Sequence, residues 1–262
     1  MLRFSVVDFL NARPLTWGLL HEPPPGIEVS RDLPSACADK LAAGEADVGL
    51  IPSIEYQRIP GLKVIPGLGI AASSEVRSVL LVSKVSREKI RTVALDPASR
   101  TSAALTRIIL ERRYGVRAAY EEGAGEAADA RLVIGDPALK TRLNGAVVLD
   151  LAAEWRALTG RSFLFAFWAV REGADAGAAE RIVRASRDRA RERFGDLVEE
   201  GARETGLSEA VVEDYLRHSL HFDLDRADFG GVELFYRLAA ELFLIPSARP
   251  LEFVPHGIGP SD

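Results

Sequence analysis

The chain has 262 residues, is 47% hydrophobic and carries 33 Lys and Arg against 38 Asp and Glu, a net charge of −5. That is ample apolar content for globular cores and gives no cationic footprint for nucleic acid. The single Cys37 excludes an intrachain disulfide, the four histidines form no cluster at zinc-ligand spacing, and no apolar run approaches the roughly 20 residues of a membrane span.

The start of the chain reaches Asp8 without a long apolar segment, which predicts a protein with no secretory signal, cytoplasmic and away from the membrane. Residues 4–9 read as a first strand. Residues 10–15 turn into a helix with Pro14 in its first turn, where a missing N–H costs nothing. Asn11 sits at that junction, either to cap the helix or to aim its amide into a cleft at the carboxyl end of the strand. A helix opened by Ser35 and stopped by Gly44 carries Cys37 as a buried small residue, and a short buried strand follows at 46–51. The next turn repeats the first geometry, so Ser53 faces the same side as Asn11, while Glu55 is a first-turn carboxylate or a general base. Residues 64–72 and 76–83 are apolar, β-branched runs. Ser78, set inside the second, needs a hydrogen-bond partner or a ligand.

After a charged connector at 84–89 a fresh α/β series begins. Strand 91–95 feeds a turn dense in hydroxyls, Ser99-Arg100-Thr101-Ser102, and then a helix in which Leu105, Ile108 and Ile109 keep helical spacing up to Gly115. A helix N-terminus presents unpaired N–H groups and the positive end of the macrodipole, so this turn is either a simple cap or a seat for a carboxylate or phosphate. Strands are predicted at 117–120, at 130–134 with a sharp turn through Gly135 and Asp136, and at 146–151. A helix at 152–158 stopped by Gly160 and an apolar run at 163–170 complete the series. From Arg171 the chain turns helical. Its Arg-rich stretch at 175–201 is laced with carboxylates and makes a solvated face, Ser208 opens a further helix, and a last one covers 231–243. His218 and His221 lack a matched third ligand, so no metal is predicted there.

These elements give an α/β fold of two lobes, residues 1–84 plus 171–262 and residues 85–170, joined by extended crossings at 76–83 and 163–171. The helical C-terminal tail completes lobe 1. A ligand cleft lies between the lobes, lined by the loops at Asn11, Ser53, Ser78, Ser99–Ser102 and Gly135.

Several motifs in order resemble one known family. They are Phe9-Leu10-Asn11-Ala12-Arg13-Pro14-Leu15, Ala46-Asp47-Val48-Gly49-Leu50-Ile51-Pro52-Ser53-Ile54-Glu55-Tyr56, Val76-Arg77-Ser78-Val79-Leu80, Ser99-Arg100-Thr101-Ser102, Ile134-Gly135-Asp136-Pro137 and Phe165-Ala166-Phe167-Trp168-Ala169. Together they are similar to the MqnA family, the chorismate dehydratases of the futalosine route to menaquinone. The chain departs locally at Asp96-Pro97-Ala98 and at Ala152.

The resemblance implies a type 2 periplasmic-binding-protein (Venus-flytrap) fold and the loss of water from chorismate to give 3-[(1-carboxyvinyl)oxy]benzoate. A sister enzyme making 1,4-dihydroxy-6-naphthoate and a non-catalytic solute-binding module are the alternatives. Elimination aromatises the ring, so it needs no redox cofactor, only a base and help for the leaving hydroxyl. Under this resemblance Asn11 and Ser78 are the catalytic residues, and Ser53, Ser99, Arg100, Thr101, Ser102, Gly135 and Asp136 bind the small-molecule substrate. The base is the substrate's own enolpyruvyl carboxylate or Glu55.

Overall fold

A computed structural model describes residues 1–123, 125, 127–141 and 145–255. β1 (Leu2–Val7) passes through a 3-10 turn at Leu10–Ala12 into α1 (Arg13–His21). β2 (Ile27–Asp32), α2 (Pro34–Ala43), β3 (Val48–Pro52), a 3-10 turn at Ser53–Gln57 and β4 (Leu62–Ala72) follow. The chain then crosses into β5 (Val79–Ser83), β6 (Thr92–Leu95), α3 (Arg100–Ile108), β7 (Ala119–Glu122), β8 (Ala130–Ile134), α4 (Gly135–Lys140), β9 (Val147–Asp150) and α5 (Leu151–Thr159). β10 (Phe163–Arg171) precedes α6 (Ala176–Glu192), α7 (Phe194–Thr205) and α8 (Glu209–Asp214). A π-helical turn at Tyr215–Ser219, β11 (His221–Asp223) and α9 (Arg226–Glu241) end the series.

Two sheets result, one ordered β11-β4-β10-β3-β1-β2 and the other β7-β6-β8-β5-β9. In the first, β1 runs parallel to β2 and β3 while β10 is antiparallel to β3 and β4. In the second, β6 is parallel to β7 and β8 while β5 is antiparallel to β8 and β9. Pairing therefore draws the division elsewhere than at 84/85 and 170/171. β5 belongs to the second sheet and β10 to the first, which leaves 73–78 and 160–162 as the connections between sheets. An apolar run shows that a strand is buried, not which neighbours complete its hydrogen bonds, so sequence alone misplaced both boundaries.

The C-terminal helices pack on the first sheet and its helices. α6 lies along α1 at Gly18, where an added Cβ would stand 2.7 Å from the Ser186 backbone, and Ser186 Oγ donates to the Leu15 carbonyl. α9 closes on β10, with Phe235 edge-on to Trp155 and Phe163. The predicted single helix at 175–201 is two, broken at Arg193, and the break lets Gly201 of α7 approach Leu10, where a Cβ would meet Leu10 Cδ1 at 2.7 Å. The turn bearing Asn11 is thereby clamped from behind. Cys37 is fully buried on α2, and burial pushes its thiol up to about 12. No helix among the described residues is long and apolar enough to cross a membrane.

Candidate active site

A narrow cavity of about 50 Å³ opens between the two sheets. Phe9, Asn11, Pro52 and Phe165 line it from the first; Ser78, Ser99, Thr101, Ser102 and Gly135 line it from the second and from the connection between them. Among the described residues, none of those lining it carries a titratable side chain.

Asn11 occupies the middle of the 3-10 turn after β1. The cap reading fails, because the residue preceding α1 is Ala12 and no side chain caps that helix. The Asn11 Oδ1 atom is buried in the cavity wall without a hydrogen-bond partner among the described residues. A buried amide oxygen left unpaired costs about 1–3 kcal/mol unless something binds it, so its position points to a ligand. The turn is aimed by the second sheet: the Leu10 N–H donates to Asp136 Oδ1 at 3.1 Å, and Phe9 packs its ring over Gly135. Gly135 has φ +63°, and a Cβ there would stand 3.3 Å from that ring, so glycine permits the close approach.

Ser78 is not inside a strand as predicted. β5 begins at Val79 because Arg77 adopts φ +61°, a left-handed conformation, and because the N–H groups of Val76 and Arg77 are taken by the Asp150 carboxylate at 2.7–3.1 Å instead of by a neighbouring strand. Burial raises the Asp150 carboxyl above its ordinary range, against the four backbone N–H groups that hold the charge. Ser78 is fully buried; its carbonyl accepts from the Gly135 N–H at 2.8 Å, and its Oγ accepts from Tyr215 Oη at 2.7 Å.

The hydroxyl turn caps its helix, one of its two predicted readings. Ser99 is the N-cap of α3, accepting the Ser102 N–H at 3.3 Å and donating to Ser102 Oγ at 2.7 Å. Thr101 Oγ1 accepts the Ile54 N–H at 3.1 Å, which ties α3 to the 3-10 turn after β3. The first N–H groups of α3 have no carbonyl one turn back, and the Ser99, Thr101 and Ser102 hydroxyls lie beside them on the cavity wall.

The remaining predicted residues sit outside the cavity wall. Successive residues on a helix point about 100° apart, so with Thr101 and Ser102 facing inward Arg100 faces outward. It binds Asp39 at 2.8 and 2.9 Å and Glu55 at 3.0 Å. Glu55, only 3% exposed, is held by Arg58 at 2.8 Å as well, so it is an ion-paired carboxylate away from the cavity. Asp136 stands behind the wall, where it accepts from Leu10, and burial raises its pKa. Ser53 is fully buried with its Oγ unpartnered among the described residues, one residue from the Ile54–Thr101 contact and off the cavity surface. His218 and His221 face different carboxylates, Asp214 and Asp228, and among the described residues no group of three His, Cys, Asp or Glu could hold a metal ion.

Two supporting residues escaped the sequence reading. Asp150, placed near the end of the strand predicted at 146–151, is the N-cap of α5 and accepts from the Ala152 and Ala153 N–H groups, a local signal; its hold on residues 76 and 77 had none. Tyr215 had no local signal at all.

The geometry can be set beside known proteins. A family model described as menaquinone biosynthesis matches residues 2–241. The chain is 29% identical over 252 residues to the chorismate dehydratase of Thermus thermophilus, covering 87% of this chain and 91% of that one. It is 31% identical over 169 residues to the chorismate dehydratase of Campylobacter jejuni, covering 62% and 65%. Among solved structures, the periplasmic aliphatic sulphonate binding protein SsuA of Escherichia coli superposes with a TM-score of 0.64 at 17% identity, covering 98% of this chain and 95% of that one, which shows the periplasmic-binding-protein fold. Since the matched span contains every residue of the cavity wall from both sheets, the chain belongs to the menaquinone biosynthesis family.

Proposed function

We propose that this protein is a chorismate dehydratase of the futalosine route, converting chorismate to 3-[(1-carboxyvinyl)oxy]benzoate and water without a cofactor. The reading is supported by the two relatives that bear the activity's name. The observation that carries the mechanism is a cavity with an unpartnered amide oxygen, a buried hydroxyl and a helix N-terminus, and no ionisable side chain on its wall among the described residues.

Such a site offers no protein base, and the substrate brings one. The α3 N-terminus with Ser99, Thr101 and Ser102 seats one substrate carboxylate. Asn11 and Ser78 hold the ring and its hydroxyl. The enolpyruvyl carboxylate takes the ring proton from the carbon next to the one bearing the leaving hydroxyl, and the C–H electron pair forms the new ring double bond as the C–O bond breaks and its pair leaves on oxygen. The departing hydroxide, hydrogen-bonded by Ser78, collects that proton and leaves as water, which restores the carboxylate. The two sheets with their helices act as lobes that part at 73–78 and 160–162 to admit substrate and close to exclude bulk water.

Incubating the purified protein with chorismate tests the reading. Loss of one water by mass with a rising benzenoid absorbance is the expected result. Tight binding without conversion would mark a solute-binding module instead, and turnover only of a futalosine-derived substrate would mark the 1,4-dihydroxy-6-naphthoate enzyme.

A further inference from the structure

Beyond the residues that line the cavity, the C-terminal part of the chain makes a cluster of contacts with Arg77 and Ser78 that the mechanism above does not use. Tyr215 opens the π-helical turn, is 1% exposed, and donates from Oη to Ser78 Oγ at 2.7 Å. That turn and the last residue of α8 grip the neighbouring residue. Asp214 Oδ2 lies 2.8 Å from the Arg77 guanidinium, Ser219 Oγ accepts from Arg77 Nε at 2.9 Å, and the Tyr215 ring lies 5.8 Å from that guanidinium. Asp150 holds the backbone of Val76 and Arg77 from the other side. Arg77 is thus kept in a left-handed conformation that L side chains rarely adopt, and Ser78 is set at the cavity wall by groups from two distant parts of the chain.

A serine hydroxyl has one hydrogen and two acceptor sites. With Tyr215 donating to one of them, the Ser78 hydrogen is released to point into the cavity. We propose that Tyr215 is a positioning residue for the elimination: it fixes Ser78 Oγ and, by donating to it, directs and strengthens the Ser78 hydroxyl as the donor to the departing oxygen. The inference rests on the dehydratase reading above. In a buried, low-dielectric setting linked hydrogen bonds polarise one another, so a phenol behind the serine strengthens the bond in front of it. Burial holds the Tyr215 phenol well above the usual tyrosine range, and it remains a neutral donor throughout the working pH range.

The test compares Tyr215→Phe, Ser78→Ala and the double variant with the wild-type protein in steady-state turnover of chorismate. Tyr215→Phe is expected to lower kcat roughly tenfold or somewhat more, less than the roughly 10²–10³ lost when a direct oxyanion donor is removed, with KM within about twofold. The double variant is expected to be no slower than Ser78→Ala alone, because Tyr215 acts only through Ser78. Wild-type kcat in Tyr215→Phe, or losses that multiply in the double variant, would overturn the inference. Should Tyr215→Phe fail to fold, 3-fluorotyrosine at position 215 keeps the ring and makes a stronger donor. A higher kcat at unchanged KM supports the inference, and an unchanged kcat overturns it. Absence of turnover in the wild-type protein, or wild-type turnover in Ser78→Ala, would instead bring down the dehydratase reading or its assignment of Ser78.

Discussion

The Asp150 carboxylate accepts the Arg77 N–H at 2.7 Å across 73 residues of sequence, and with the same side chain it caps α5 through Ala152 and Ala153. One side chain therefore ends a strand of the second sheet, starts a helix and shapes the connection that presents Ser78. Asp150→Ala removes a helix cap, worth about 1 kcal/mol, and leaves the N–H of half-buried Arg77 to solvent and that of buried Val76 without its acceptor, the latter at about 1–3 kcal/mol. A loss of about 2–4 kcal/mol in urea unfolding is expected, with Asp150→Asn milder because its amide oxygen still accepts.

Asn11 and Thr101 should separate chemistry from binding. Asn11→Ala is expected to lower kcat by roughly 10²–10³, as for loss of a group that meets the reacting centre. Thr101→Ala, at the proposed carboxylate seat and bonded to the Ile54 N–H, should raise KM more than it lowers kcat. Steady-state kinetics with chorismate check both, and the reversed pattern would move the reacting oxygen to the α3 end of the cavity.

Glu55 is buried between Arg58 and Arg100 rather than at the cavity. Glu55→Gln should leave kcat within a fewfold of wild type while lowering thermal stability, since breaking a buried pair strands its partners. Abolished turnover in a folded, chorismate-binding Glu55→Gln protein would make Glu55 the base and rule out the substrate's own carboxylate.

Gly135→Ala places a Cβ 3.3 Å from the Phe9 ring at φ +63°, a backbone conformation that costs a non-glycine residue roughly 1–2 kcal/mol. Turnover should fall as well as stability, because the Gly135 N–H anchors the Ser78 carbonyl. Thermal melts and kcat measured together check this.

Asp228 links stability to acid. Burial alone would raise its carboxyl, but His221, Ser162 and the Asp225 N–H more than offset that and hold it below the ordinary value of 3.8. A lowered folded pKa means that the charged form is favoured in the fold, so the contribution is complete above the unfolded value and disappears as pH falls through the folded one. The stability gap between wild type and Asp228→Asn should be constant near neutrality and shrink below about pH 4. A gap that widens on acidification would contradict the assignment.

Much of the chain is legible in its local signals. Pro14 in the first turn of α1, Ser99 capping α3, and Gly44 and Gly160 ending α2 and α5 act within a few residues of themselves. Apolar runs similarly mark β3 and β10 as buried strands. The ordered motifs at Asn11, Ser53, Ser78, Ser99 and Gly135 point to the family for the same reason, since they lie in the linear chain. What the linear chain does not carry is direction and partnership. Whether β5 and β10 join one sheet or the other depends on which strands complete their hydrogen bonds. That Arg100 turns outward to Asp39 and Glu55 while Thr101 turns inward follows from the seating of α3 against the first sheet. That Ser78 leaves the strand follows from Asp150 and from Tyr215, which lies 137 residues away. Periodicity and capping are set by neighbours in sequence, whereas the polarity and aim of a single hydroxyl are set by whichever buried group the fold brings behind it, and only the tertiary structure supplies that group.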